Sequence, residues 1–477
     1  MKALRDLELA AIGLGCAVRR DSSAPAPRRR VSAPTLSLFL LLSSACPTER
    51  MNELSRYRTG GARSGARSIG LLEPRRVASF LVISFLAWRI ICHAASALLT
   101  PHDPRAALTW DAADPAALTG LVQDELAKTG EAHWEAAKDV AARLLSVDPL
   151  APGALSLYGK AVAQLGDSAR ADKILRVAAA HLPIDLVAHG WLYERALESG
   201  RLFEALAELD TLLRARPSLT PQLAPSVQAL LEVGDAVEVR FVRLLATAPP
   251  WRHSLLARLS AGIRDPNALV RLFSRLQEST ARPSTDEMLP FLERLVREGL
   301  YDEAYSAWLV HLPPDRLSRL GLLYNGNFRY PVSNLPFDWT FTPTIGVSIA
   351  AVDHEELKAL NVEFYGARVA FANVSHLVML SPGRYSFSGA GKTDDLENEL
   401  GLRWRIYCAE KPAEALATTK LLKNTTPLRA FRVEFSVPNS GCEAQWLKLE
   451  IPVRIALDAD VSGSAHYVNL EIESVAK

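Results

Sequence analysis

PLAPGALSLYGKAVAQLGDSARADKILRVAAAHLP at residues 149–183 and PIDLVAHGWLYERALESGRLFEALAELDTLLRARP at residues 183–217 share a period. Pro115, Pro149, Pro183 and Pro217 stand 34 residues apart, and Ala137, Ala171 and Ala205 each lie twelve positions before a proline. Gly166, Gly200 and Gly234 keep the same step. Self-similarity at this length marks stacked helical hairpins. Each unit reads as a helix, a glycine-containing turn, a second helix and a closing proline. Proline closes it because it lacks an N–H and pushes the preceding residue out of the helical region. Residues 155–165 and 168–182 form one predicted pair, and residues 185–199 and 202–215 form the next.

A small residue opens the second helix, large apolar residues pack between the helices, and a proline closes the unit. This pattern falls on Leu155, Tyr158, Gly159, Ala171, Leu175 and Pro183, and again on Leu192, Ala205, Leu209 and Pro217. In these positions the stretch resembles tetratricopeptide repeats (TPR), over roughly a quarter of the chain. The resemblance implies no chemistry of its own. It implies a continuous apolar seam on one side and a concave surface on the other, open to a protein partner.

Working outward, residues 107–320 read as helix, a TPR-like α-solenoid. Trp134, Ala137, Val140, Ala141 and Leu144 make an apolar stripe at helical spacing, with Lys138, Asp139 and Arg143 off it. Beyond Pro217 the landmarks fade, although Pro250 and Trp251 fall near the next period. A further pair surrounds Gly299, which stands five before Ala304 as Gly166 stands five before Ala171. Five or six helix pairs are expected, with Ser284 and Asp286 as N-terminal caps. His133, His181, His189, His253 and His311 have no metal-ligand spacing and read as solvated or edge-of-core side chains.

The formal net charge of +1 conceals an asymmetry. Residues 1–76 hold 14 Lys plus Arg against 6 Asp plus Glu, whereas the rest holds 40 against 47. The excess lies in a Gly, Ser and Arg-rich leader expected to be flexible, which argues against a nucleic-acid surface. Met51 is an alternative start, and residues 36–42 before Cys46 weakly suggest a lipoprotein signal. Residues 77–99 form an apolar stretch after Arg75 and Arg76. That is long enough to span a bilayer, and the basic flank is expected to stay cytoplasmic. Arg89 inside it costs roughly 2.5–3.5 kcal/mol on insertion scales. The rival is a cleaved signal peptide with Ala95-Ser96-Ala97 at the cleavage site. The expected location is therefore an inner membrane crossed once with the later chain in the periplasm, or secretion if the segment is removed. A buried soluble helix is the third alternative.

From Tyr324 the apolar period changes from 3.6 to 2, with short runs separated by Gly, Pro, Asn and Asp, the pattern of an antiparallel β-sandwich over residues 321–477. Alternation places Trp404 and Cys408 inward and Arg403, Arg405 and Tyr407 outward. It also gives one face to Phe337, Trp339 and Phe341, and one to Phe431, Val433, Phe435 and Val437. Near the end the phase sets Trp446 among polar side chains with Lys448 and Glu450. A tryptophan on a polar sheet face calls for a reason, because it leaves a large apolar ring exposed. Sugars supply one, since their C–H faces stack on aromatic rings while hydroxyls reach charged groups. Cover by a loop or by the last helix pair is the alternative. Candidate glycan-binding residues are Trp446, Tyr407, Arg403, Arg405 and Lys448.

Asn325-Gly326-Asn327-Phe328, followed by Phe337-Asp338-Trp339, resembles the opening of jelly-roll carbohydrate-binding modules, and Pro382-Gly383-Arg384-Tyr385-Ser386-Phe387-Ser388-Gly389 is similar to a following strand. Asn327 and Arg329 depart from the small or acidic residues usual in that family, so its calcium site is not expected here. A membrane segment, TPR-like repeats and such a module together resemble bacterial envelope proteins associated with surface polysaccharide production. That resemblance implies a non-catalytic scaffold, with a protein on the solenoid, a polysaccharide on the sandwich and no cofactor. The alternatives are an accessory subunit or enzyme of polysaccharide assembly, or a purely structural adaptor.

No phosphate loop, nucleophile elbow, paired-cysteine zinc pattern or His-Glu-x-x-His is present. Asp394, Asp395, Glu397 and Glu399 form a run that reads as a solvated loop rather than the spaced carboxylate pair of a glycosidase. Of five cysteines, Cys16 and Cys46 lie in the leader and Cys92 in the apolar segment. Cys408 and Cys442 remain, and an oxidising compartment favours a bridge between them. Two separately buried thiols are the alternative.

Overall fold

The computed structural model describes residues 74–127, 133–354, 357–397, 400–452 and 460–475. The greater part of the expected leader, with Met51, Cys16, Cys46 and residues 36–42, lies outside the described residues, as does Glu399. Helices precede strands throughout, and the chain divides between Ser168 and Ala169 into two compact units.

The first unit holds α1 (Pro74–Leu99), α2 (Pro104–Trp110), α3 (Pro115–Ala127), α4 (Trp134–Val147) and α5 (Ala154–Gln164). The predicted stripe is its core: Trp134, Ala137, Ala141 and Leu144 are buried with Leu118, Val122, Leu157 and Ala161, and Val140 packs against them. Within α1, Val77–Leu99 is the one segment among the described residues long and apolar enough to cross a membrane.

The second unit continues with α6 (Ser168–His181), α7 (Leu186–Glu198), α8 (Leu202–Ala215), α9 (Thr220–Val233), α10 (Asp235–Leu245), α11 (Arg252–Gly262), α12 (Pro266–Gln277), α13 (Thr285–Arg297), α14 (Tyr301–His311) and the short α15 (Pro314–Leu317). The sequence period appears as element boundaries. Helices α4, α6 and α8 begin at Trp134, Ser168 and Leu202, and each is 14 residues long. Pro149, Pro183 and Pro217 each follow two residues after the last helical residue. Ala137, Ala171 and Ala205 are buried. Gly200 ends the first helix of its pair at φ 69°, a left-handed conformation that glycine adopts at no steric cost. Beyond Pro217 the pairing persists without the landmarks: α9, α11 and α13 pack in one row, and α8, α10, α12 and α14 in a second. Trp251 is fully buried, and its indole donates to Asp210 at 2.9 Å. Ser284 caps α13 through a reciprocal capping box with Glu287, which leaves Asp286 a first-turn residue rather than the cap.

The strands form a sandwich of two five-stranded antiparallel sheets. The first orders β1 (Thr340–Phe341), β4 (Val374–Val378), β9 (Gln445–Glu450), β6 (Arg403–Cys408) and β7 (Ala415–Thr418). The second orders β2 (Val347–His354), β3 (Leu357–Arg368), β10 (Asp460–Ser474), β5 (Gly383–Glu397) and β8 (Asn424–Val437). Between them lies a core that includes Trp339, Phe364, Phe387, Trp404, Leu447, Leu449 and Tyr467. Cys408 and Cys442 are joined in a disulfide with a Cα–Cα distance of 4.9 Å.

The motif that opens the sandwich is a structural lock. The Trp339 indole donates to the Asn325 carbonyl at 2.9 Å, and the buried Asp338 carboxylate accepts from Ser333 N, Ser333 Oγ, Trp339 N and Asn325 Nδ2 at 2.9, 2.7, 2.8 and 3.3 Å. At Gly326 a Cβ would stand 1.9 Å from the Leu470 carbonyl oxygen, so only glycine fits. This lock corrects one expectation. Phe337 and Trp339 do not share a face, because Asp338 holds the chain in a turn and β1 begins only at Thr340. Trp339 enters the sandwich core against Phe328 and Trp404, whereas Phe337 meets Tyr305 and Trp308 of α14, with ring centroids 5.1 and 5.7 Å away. With Tyr324 at 5.1 Å from Trp308, these rings join the last helix pair to the sandwich.

Candidate functional site

Strands β6 and β9 are antiparallel neighbours, and their register sets Tyr407 opposite Trp446, Arg405 opposite Lys448 and Arg403 opposite Glu450. Alternation sends Trp404, Ile406, Leu447 and Leu449 into the core. All five candidate glycan-binding residues therefore lie together on the outer face of the first sheet, in three cross-strand rows.

The rows form a graded strip. At one end Arg403 binds Glu450 through Nη2 at 2.9 Å and Nε at 3.1 Å, and Arg405 lies 3.8 Å from the other carboxylate oxygen. In the middle Arg405 donates to the carbonyls of Pro412 and Ala413 at 2.5 and 3.2 Å, which fixes its guanidinium 4.8 Å above the Tyr407 ring. Lys448 holds its ammonium 5.8 Å from the centre of the Trp446 ring. Cation–π contacts of this kind add on the order of 0.5–1 kcal/mol at exposed sites and keep the ring in place. Burial pushes the Lys448 ammonium below its ordinary pKa, with Arg405 pushing the same way and Glu450 opposing. Burial also raises the Tyr407 phenol, aided by Glu450 and opposed by Arg405.

The strip is not open along its whole length. Trp446, Lys448, Arg403, Arg405 and Glu450 are partly exposed, but Tyr407 is only 7% exposed. Alternation identifies its face correctly and its openness wrongly, because Arg405 covers the ring and Trp446 stands beside it. On the other side of Trp446, β4 sets Leu377 and Ser375 opposite Trp446 and Lys448, and both are buried. Every member of the run Val374-Ser375-His376-Leu377-Val378 is buried, although Ser375 and His376 interrupt its apolar character and leave no sequence signal for this cover. Beyond the strand ends, Tyr301 of α14 is raised in pKa by burial and by the nearby Glu410 and Glu443.

The remaining sequence candidates sit elsewhere. In the acidic run Asp394 pairs with Lys392 at 3.0 Å, Asp395 accepts from Thr425 at 2.8 Å and Glu397 accepts from Ser462 at 3.3 Å, all on the second sheet. Among the described residues no three His, Cys, Asp or Glu side chains converge as a metal site would require.

No protein-family model and no curated protein matches the chain. Among solved structures, a CBM4 structure is similar over 32% of this chain and 99% of its own, at 12% identity and a TM-score of 0.26. A Family 16 carbohydrate-binding module is similar over 32% of this chain and 100% of its own, at 15% identity and a TM-score of 0.23. TmCBM61, solved in complex with β-1,4-galactotriose, covers 33% of this chain and 99% of its own, at 12% identity and a TM-score of 0.23.

Proposed function

We propose that this chain is a non-catalytic envelope scaffold whose sandwich binds glycan on the Trp446 strip and whose helical pairs hold a protein partner. The observation that carries it is the Trp446 ring, left partly exposed on a sheet face with Arg405 and Lys448 in the next cross-strand row and Arg403 and Glu450 in the row beyond. An apolar plane bordered by charged donors and one acceptor suits a sugar, whose ring face is apolar and whose rim is hydroxylated. Glu450 is the one carboxylate among the described strand residues of that face, and Arg403 already holds it. Glycoside hydrolysis needs a second carboxylate across the bond to be cut, so binding without chemistry fits this face better than the accessory-enzyme alternative. The structural-adaptor alternative draws its support from the burial of Leu377 and Tyr407 beside Trp446. A link to surface polysaccharide production or export rests on the sequence resemblance.

The test is glycan-array binding by the full chain in detergent. Cutting at residue 321 would strip Tyr324 and Phe337 of their partners Tyr305 and Trp308. Binding to polysaccharide fragments that is lost in Trp446→Ala supports the proposal, and an array without any signal overturns it.

A further inference from the structure

The groove between α8 and α10 is a second surface on which apolar and charged groups meet. Phe203, in the first turn of α8, is 55% exposed. Its side chain lines two recesses. One, of about 420 Å³, is lined by Phe203, Leu206, Leu244, Asp210, Arg240 and Arg243; the other, of about 350 Å³, is lined by Phe203, Glu204 and Val237 among others. The helical repeat does not demand this ring, because the positions one and two periods earlier are Ala169 and Glu135. Arg240 and Arg243 are exposed and make no ion pair or hydrogen bond among the described residues. The nearby carboxylates are already occupied. Asp210 accepts from Arg214 at 2.7 Å and from the Trp251 indole at 2.9 Å, and Glu204 accepts from Arg201 at 2.8 Å. The groove thus presents two uncompensated guanidinium groups beside an exposed aromatic ring.

We propose that this groove docks an acidic protein segment that places an apolar side chain against Phe203 and two carboxylates on Arg240 and Arg243. The two arginines stand three apart on one helix, so their Cβ atoms are about 5–6 Å apart. This is the spacing that two carboxylates one turn apart on a partner helix would match. Guanidinium groups bind carboxylates through paired, charge-assisted hydrogen bonds, and the aromatic ring supplies the apolar anchor that an interface needs at its centre. The proposal rests on the reading that the helical pairs hold a protein partner, and it stands or falls separately from glycan binding by the sandwich.

The experiment is selection of random twelve-residue displayed peptides on the full chain in detergent, followed by binding measurements with the selected peptides. The expected peptides carry at least two Asp or Glu and one large apolar residue. Their affinity falls about tenfold in Phe203→Ala, and again about tenfold in the double variant Arg240→Ala with Arg243→Ala. All three side chains lie on the surface, and unchanged circular dichroism confirms that the variants fold. Selected peptides without acidic residues, acidic peptides that bind all variants equally, or failure to enrich any peptide overturn the proposal. Tighter binding of a single-stranded oligonucleotide than of any selected peptide at the same arginines also overturns it.

Discussion

Trp446 and Trp404 lie on neighbouring strands and point to opposite faces of one sheet, so replacing each by alanine separates binding from folding. Trp404 is 1% exposed, and its ring lies 5.4 to 5.8 Å from those of Tyr467, Trp339 and Phe387. Removing such a fully packed ring costs about 3–5 kcal/mol, from lost transfer energy and the cavity left behind. Trp446 is partly exposed, and its assigned ring contact is the ammonium of Lys448, at 5.8 Å. Scaling the apolar term to a ring about two thirds buried, with no enclosed cavity left behind, gives a loss of about 1–2 kcal/mol. Denaturant titration of both variants should therefore separate them by about 2 kcal/mol or more, while glycan binding should vanish in Trp446→Ala although most of the stability is kept. Equal destabilisation by the two substitutions would show that the Trp446 ring is core, and the binding strip would then be discarded.

The helical seam and the disulfide are open to simpler tests. Leucine in place of the fully buried Ala171 or Ala205 should overpack its site and cost roughly 1–3 kcal/mol, read as a lower thermal midpoint; an unchanged midpoint would mean that the small position is not where the helices cross. Alkylation of the denatured, unreduced chain from residue 100 onward should find no free thiol, and reduction should cost roughly 3–4 kcal/mol for a bridge closing 34 residues of sequence. Two alkylated thiols would refute the bridge and the oxidising location with it.

What the sequence made legible is what repeats or alternates. The 34-residue step fixes where α4, α6 and α8 begin, because a small residue at each crossing and a proline after each helix are local requirements. Strand phase fixes the face on which Trp404, Trp446 and their neighbours lie, because successive side chains must point to opposite sides. Exposure is different, since it depends on what other elements bring. Tyr407 is covered by a guanidinium that carbonyls of the loop at Pro412 and Ala413 hold in place, and no pattern within β6 announces that loop's path. Phe337 and Trp339 part company because one buried carboxylate, Asp338, gathers four donors into a turn. The Phe203 groove is invisible for a related reason. It exists because α8 and α10 pack side by side, and they are separated in sequence by the whole of α9.

The first helix carries the last prediction, and its two ends pull in different directions. Its second half belongs to a folded domain. Ser96 is fully buried and its hydroxyl donates to the buried Asp114 at 2.5 Å, Cys92 is buried, and Arg89 and His93 approach Asp111 at 3.9 and 3.6 Å. The apolar run before Arg89 is Val77 to Trp88, twelve residues that rise about 18 Å as a helix, against a bilayer core of about 30 Å. The uninterrupted apolar run before Arg89, taken by itself, therefore suits a signal peptide better than an anchor. Cleavage after Ala97, however, would remove Ser96 and leave the Asp114 carboxylate without that donor in a buried position, a loss of about 1–3 kcal/mol. Arg89 resolves the conflict. Its cost of roughly 2.5–3.5 kcal/mol applies at the bilayer centre; in a retained helix the guanidinium drawn toward Asp111 would sit at the membrane edge, and the bilayer would thin over the short run before it. Retention is the expected outcome. Phosphatase fused after residue 110 should be active, and mass spectrometry of the membrane fraction should recover peptides spanning residues 77–99. Inactive fusions with a soluble product would remove the topology, and a mature chain beginning at Leu98 would show that the Ser96–Asp114 bond does not outlast export.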